Sequence, residues 1–387
     1  MNVIIRAPLL SISGYGVHSR QVFKWLETRS DFNIFSQIVQ WGNTSWMINP
    51  DMEEGIVERI MSTSRDVSST ADLSFQVQLP DEWDSNLAKI NIGVSAVVET
   101  DRCSSIWVDA INKMDAVIVP STHIRQTILN SGNVTTKIFV IGEWFYDNIE
   151  RENISSLDVD FDTDFNFLSV GTFTGNDPES DRKNLFNTVK WFCESFSDDP
   201  NVGLILKTNF GRGTHIDRQI TRNTIRSVIG EVRKTKFPKI HLIHGNLTSD
   251  EIISLYRKPS VKCLITLTRG EGFGLPILEA AASGLPIIAT NWSAHLDFLN
   301  LGKFIPVHYR LIDIPDRRVD NRIFLKGFRW ADPIEVDFKK KIKKFRNKHV
   351  IPEKWARDLS VDIRKKFGSK NIMRLYDEMI KDILNIK

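Results

Sequence analysis

TRGEGFGLPILEAAASGLPIIATN, residues 268–291, reads as a glycine-rich loop, then a short helix, then a buried strand. Gly270, Gly272 and Gly274 let the backbone bend tightly and approach a ligand closely. Pro276 suits the first helical position, where its missing N–H costs nothing. Ile277 to Ala282 continue the helix, Gly284 is placed to end it, and Leu285 to Ala289 form an apolar run of strand length. A helix N-terminus behind such a loop presents free N–H groups and the positive end of a dipole, which favours phosphate. Glu271 and Glu279 flank that N-terminus. Ionised carboxylates only accept hydrogen bonds, so they suit sugar hydroxyls, which donate.

The run E-G-F-G-L-P-I-L-E, with seven residues between its glutamates, is followed by A-A-A-S-G-L-P-I-I-A-T. Together they resemble the retaining glycosyltransferases of family 4, which have the GT-B fold. Glutamate spacing, FGLP, helix and following strand all coincide, which is more specific than a bare glycine loop. The resemblance implies an α/β chain of two Rossmann-like, doubly wound lobes facing a cleft. It implies transfer of a sugar from a nucleoside diphosphate, with UDP expected, and retention at the anomeric carbon. Glu279 is then expected on the ribose diol. Glu271 and the backbone N–H groups of Gly272, Phe273, Gly274 and Leu275 are expected on the transferred sugar and the phosphates. The sugar nucleotide is a co-substrate, and neither cofactor nor metal is expected. The family's favoured mechanism passes the acceptor's proton to the leaving phosphate, so it needs no separate base.

Upstream of the motif, FNFLSVG (165–171) reads as a strand, followed by TFTGNDPESDRKNL and a helix from about Lys183 to Phe196. The resemblance places an arginine and a lysine on the diphosphate here. Lys183 matches the lysine, Arg182 stands beside it, and Thr172 occupies the position where arginine is usual. Residues 202–207 and 240–244 read as strands, with helices over 214–236 and 249–256. The loop Gly245-Asn246-Leu247 corresponds to one near the nucleobase, which makes Asn246 and Leu247 candidates. Downstream, NWSAHLDFL starts a helix in which His295 reads as structural. Asp332 and Pro333 look like a helix opening. The run from Lys339 to Lys348 is the strongest local charge, and reads either as a solvated face or as a contact for membrane lipid or nucleic acid. Ser360 to Leu384 reads as one last amphipathic helical stretch.

The amino-terminal part alternates strand and helix, as in a parallel sheet with right-handed crossovers. Asn2 to Leu10 is a strand, Ser11 to Tyr15 a turn, and a helix follows from about Val17. The resemblance puts Gly14 and Gly16 near the donor phosphates and the acceptor. A polar loop is expected over 62–70, and a strand over 91–98 that ends at Glu99-Thr100-Asp101-Arg102. Two readings stand for those acids. Glu99 or Asp101 serves chemistry at a strand's carboxyl end, in place of a histidine that many family members carry, or Asp101, Ser104 or Ser105 caps the next helix. Residues 147–164 break the rhythm with polar and acidic residues. The expected division is therefore 1–155, 156–350 and 351–387, the last being helices of which the final one packs back on the first lobe.

Length and composition bound these readings. A chain of 387 residues with 41% hydrophobic and 26% charged residues is an ordinary two-domain globular protein. A net charge of +3 does not by itself imply nucleic acid. Cys103, Cys193 and Cys263 are scattered, with no zinc spacing, which fits reduced thiols in a cytoplasmic protein. No stretch is apolar enough to span a membrane. The acceptor is open: a glycan or lipid-linked saccharide is the commoner family outcome, and hydroxymethylated bases of DNA are the alternative. A degenerate protein that binds sugar nucleotide without turnover is the non-enzymatic reading.

Overall fold

The computed structural model describes residues 1–67 and 70–384. By internal contacts the chain forms two units, one of residues 1–144 with 370–387, the other of residues 145–369.

The first unit is built on strands β1 (Asn2–Ala7), β2 (Asn33–Ile38), β3 (Ala71–Val77), β4 (Ala88–Val94), β5 (Ala116–Val119) and β6 (Lys137–Val140). All pair in parallel, in the order β2-β1-β3-β4-β5-β6. Apolar runs such as AVIV in β5 are buried throughout, as strands covered on both faces must be. Helices α1 (Gly14–Glu27), α2 (Met52–Thr63), α3 (Ser105–Ile111) and α4 (Thr122–Leu129) connect them. Of the polar loop expected over 62–70, residues 62 and 63 belong to α2, and 68–69 lie outside the described residues.

Helix α1 starts earlier than the sequence suggests. Ser13 caps it by accepting from the Gly16 N–H at 3.1 Å, so Gly14 and Gly16 form the first turn rather than a loop before it. A Cβ on Gly16 would lie 1.9 Å from the Ser11 carbonyl oxygen. Close packing of the preceding turn on the helix thus accounts for that glycine.

The second unit contains β7 (Phe165–Val170), β8 (Val202–Thr208), β9 (Lys239–His244), β10 (Val261–Thr266), β11 (Ile287–Thr290) and β12 (Ile305–Val307). These are parallel in the order β12-β11-β10-β7-β8-β9. Helices α5 (Leu185–Ser195), α6 (His215–Val232), α7 (Ser249–Arg257), α8 (Leu275–Ala282) and α9 (Leu296–Leu299) alternate with the strands. The strand order reverses between β7 and β10, and ligands of such sheets bind outside the carboxyl ends of the strands at that reversal.

An antiparallel hairpin of β13 (Tyr309–Asp313) and β14 (Arg329–Pro333) follows. It corrects the reading of Asp332 and Pro333 as a helix opening, because both lie in β14. Pairing with β13 and the ion pair from Arg269 to Asp332, at 3.2 Å, hold them extended. Helix α10 begins two residues later (Glu335–Asn347), followed by α11 (Val350–Phe367) and α12 (Ser369–Ile383). The stretch from Ser360 is therefore two helices, broken where Gly368 adopts an extended conformation with ψ 152°.

Candidate functional site

The β7 and β10 ends release the two loops that carry the expected phosphate and sugar ligands. The first, 171–184, is folded around the buried Asp181. Its carboxylate accepts from the Thr174 N–H and hydroxyl at 2.9 and 2.7 Å and from the Leu185 N–H at 2.7 Å. This turns the chain into α5 with Asn184 left-handed at φ 56°, and leaves Lys183 just ahead of the helix. The second loop, 267–274, is buried throughout. Arg269 ties the two together: its N–H donates to the Arg182 carbonyl at 2.8 Å, and its guanidinium donates to the Pro178 and Asp181 carbonyls, both at 2.7 Å.

The loops bring Lys183 and Glu271 into contact. Lys183 Nζ lies 2.7 Å from each carboxylate oxygen, Arg182 Nη1 lies 3.7 Å from Oε2, and the same guanidinium donates to the Gly270 carbonyl. Burial would push the Glu271 carboxyl up, but the adjacent Lys183 and Arg182 charges more than offset that and hold it down at about 2. Glu271 is thus an ionised acceptor across the physiological range. Its backbone N–H donates to Ser293 Oγ at 3.0 Å. His295, fully buried, engages the Thr290 carbonyl through Nε2 at 2.7 Å, which is a structural role.

Helix α8 starts directly behind Glu271. Gly274 is its N-cap in the left-handed region at φ 99°, and Gly284 ends it at φ 81°. Leu275 is the first helical residue, so Pro276 is the second. Phe273 turns into the core, its ring 5.6 Å from Phe298, so its side chain is not available to a ligand.

One helical stretch on, Glu279 sits in a cluster that sequence spacing does not reveal. Tyr256, from α7, donates to Glu279 Oε2 at 3.2 Å. Lys207, the last residue but one of β8, donates to the Gly245 carbonyl at 2.8 Å. Burial pushes the Glu279 carboxyl up to about 8, against the Tyr256 hydrogen bond and the Lys207 charge. Burial likewise lowers the Lys207 ammonium to about 8, with Glu279 opposing. The available signal was a single lysine closing the apolar run VGLIL at a strand's carboxyl end.

Gly245, at φ 110°, opens the loop holding Asn246 and Leu247. Asn246 is exposed and accepts from Asn209 at 2.9 Å, while Leu247 is half-buried. Thr172 is exposed and uncharged, and Arg182 supplies a guanidinium to this loop, 3.7 Å from Glu271. Gly14, Gly16, Glu99 and Asp101 belong to the first unit. Glu99 and Asp101 follow β4 in irregular backbone, both partly buried, with Asp101 3.7 Å from Arg102. Ser104, rather than Asp101, is the N-cap of α3. Among the described residues, no group of three or more His, Cys, Asp or Glu side chains is placed to hold a metal ion, and no helix is long and apolar enough to cross a membrane.

Residues 227–307 match the family model described as Glycosyl transferases group 1. The sequence has no significant match among curated proteins. The chain has the GT-B fold, as three similar solved structures show. A glycosyltransferase from Rickettsia africae ESF-5 superposes with a TM-score of 0.66 at 15% identity, over 100% of this chain and 99% of that one. HepE from Anabaena, solved in complex with UDP and glucose, gives 0.61 at 12% identity, over 98% and 99%. Sucrose-phosphate synthase from Thermosynechococcus elongatus gives 0.60 at 13% identity, over the whole of both chains.

Proposed function

We propose that this chain is a retaining glycosyltransferase that moves a sugar from a nucleoside diphosphate, a UDP-sugar, to a hydroxyl of a glycan or lipid-linked acceptor. The observation that carries the reading is the Lys183–Glu271 pair at the head of α8, where the β7 and β10 loops meet. A positive side chain, a buried ionised acceptor and a glycine-capped helix N-terminus converge at the sheet's topological reversal. Those are the groups a sugar diphosphate needs. HepE, of the same fold, was solved with UDP and glucose.

In this reading Glu271 accepts from hydroxyls of the transferred sugar, and the α8 amides and Lys183 hold the phosphates. Glu279 takes the ribose diol, and Asn246 and Leu247 border the base. The bond from the anomeric carbon to the phosphate oxygen breaks as the acceptor oxygen bonds on the same face. The acceptor's proton passes to the departing phosphate oxygen. Lys183 and Arg182 offset the negative charge that grows there, in the place a metal takes in other transferases. Gly14, Gly16, Glu99 and Asp101 are assigned to the donor phosphates and the acceptor side.

The test is a screen of sugar nucleotides for released nucleoside diphosphate. Glu271→Gln keeps the side chain's shape while removing its charge, and Lys183→Ala removes the cation. Each should abolish release, with circular dichroism confirming a folded chain. Lys183→Ala leaves the buried carboxylate without its nearest cation, so Glu271→Gln/Lys183→Met serves as the variant that removes both charges of the pair together. Full turnover in the folded variants would end the proposal.

A further inference from the structure

The lysine run of α10 divides into two sets. Lys339 is engaged by Glu194 and Glu335, and Lys341 by Asp337 and the Pro306 carbonyl. Arg346 turns inward, with Nε 3.2 Å from Asp199 and the guanidinium 4.6 Å over the Phe165 ring. Phe338, Ile342 and Phe345 fill the core beneath. Helical spacing then sets Val336, Lys340, Lys343 and Lys344 on the far side, all exposed, and among the described residues these three lysines have no ion-pair partner. The chain turns at Lys348 and His349 into α11, whose opening residues Val350 and Ile351 are 68% and 62% exposed. Lys354 is exposed one turn later, and Val336 is 76% exposed. Exposed lysines thus precede and follow an apolar tip in the chain, and the acid nearest that tip, Glu353, is engaged by His349 at 2.8 Å.

We propose that the α10–α11 elbow docks on an anionic lipid surface, with Lys340, Lys343, Lys344, Lys348 and Lys354 at the headgroup phosphates and Val350 and Ile351 in the acyl boundary. Charge complementarity selects an anionic surface, and the apolar pair selects lipid. A nucleic acid would gain nothing from two aliphatic side chains. The patch also presents no exposed aromatic for a base to stack on, and Arg346, the arginine of α10, faces inward. Lysines near such a surface and a shallow apolar insertion add, and either alone is weak. The proposal goes beyond the transferase reading, and its readout is binding, so either can fail without the other.

The experiment is co-sedimentation of the full chain with vesicles of equimolar phosphatidylglycerol and phosphatidylcholine, against vesicles of phosphatidylcholine alone. The parent should sediment with the anionic vesicles only. Lys340→Gln/Lys343→Gln/Lys344→Gln should weaken binding on the order of 100-fold, roughly fivefold per lysine. Val350→Asn/Ile351→Asn should retain binding at low salt and lose it at physiological salt, where the lysines are screened. Lys113→Gln/Lys370→Gln/Lys381→Gln, exposed lysines of the first unit, removes equal charge elsewhere and should bind as the parent does. The proposal is overturned if the parent ignores anionic vesicles, if this last variant loses as much, or if duplex DNA displaces the parent from vesicles.

Discussion

Glu279 shows how one buried acid can carry two consequences. Its carboxyl keeps a proton in the folded chain up to about pH 8, whereas the unfolded chain releases it near the ordinary value of 4.5. Between those values the folded state binds more protons, so stability is fully present below the lower one and falls as pH rises towards the upper. Lys207 acts with the opposite sign in a different window. Its folded value of about 8 lies below the ordinary 10.5, so across that interval the unfolded chain binds more protons and stability rises with pH. The pair predicts a stability minimum near pH 8. Glu279→Gln removes the acid-side fall, so its thermal midpoint relative to the parent should climb steadily from about pH 5 to about pH 8. Parallel curves for the two proteins across that range would contradict the assignment. Lys207→Met should remove the rise on the alkaline side and free the Gly245 carbonyl, weakening UDP binding in calorimetry. A purely structural lysine would leave the affinity of folded protein unchanged.

At the scale of elements, α8 is the part that its own sequence specifies most completely. Gly274 takes a left-handed conformation at its head, and a Cβ there would meet Ile277 Cδ1 at 3.3 Å and His295 Cβ at 3.4 Å. Gly274→Ala should therefore cost about 1–2 kcal/mol in urea unfolding from the backbone alone. It should also displace the amides proposed to hold the phosphates, so UDP affinity should fall further than stability does; unchanged affinity would separate the helix head from the ligand. The strand and helix rhythm of both units was legible because buried parallel strands are apolar runs between turn residues. The β13–β14 hairpin was not, because YRLID is largely exposed and offers no apolar run, while Asp332-Pro333 imitates a helix cap. The break at Gly368 was hidden by amphipathic patterns that continue on both sides. In the candidate site, Lys183 and the two glutamates stand in a local motif. Lys207 and Tyr256 do not, because no spacing links residues 207, 256 and 279 before β8, α7 and α8 are packed.

For the whole molecule, the chain's path matters as much as its sheets. The first unit is completed by residues that come last in sequence. Tyr376, from α12, stacks on Trp25 of α1 with ring centroids 4.9 Å apart, and its hydroxyl lies 3.2 Å from His18 Nε2. Trp25 in turn donates to Asp377 at 3.0 Å. Both rings are fully buried, so the contact belongs to the core of that unit rather than to its surface. The first unit therefore cannot reach its full stability until α12 has been made, although the other ten of the eleven strands and helices named for it precede residue 145. Tyr376→Ala removes the stacked ring and leaves a cavity, which should cost about 3–5 kcal/mol. Hydrogen exchange should locate that loss: amides of α1, β1 and β3 should exchange faster, while those of β7, β10 and α8 keep their protection. If protection fell equally in both units, the two would unfold as one cooperative body, and the division at residue 145 would have no energetic meaning.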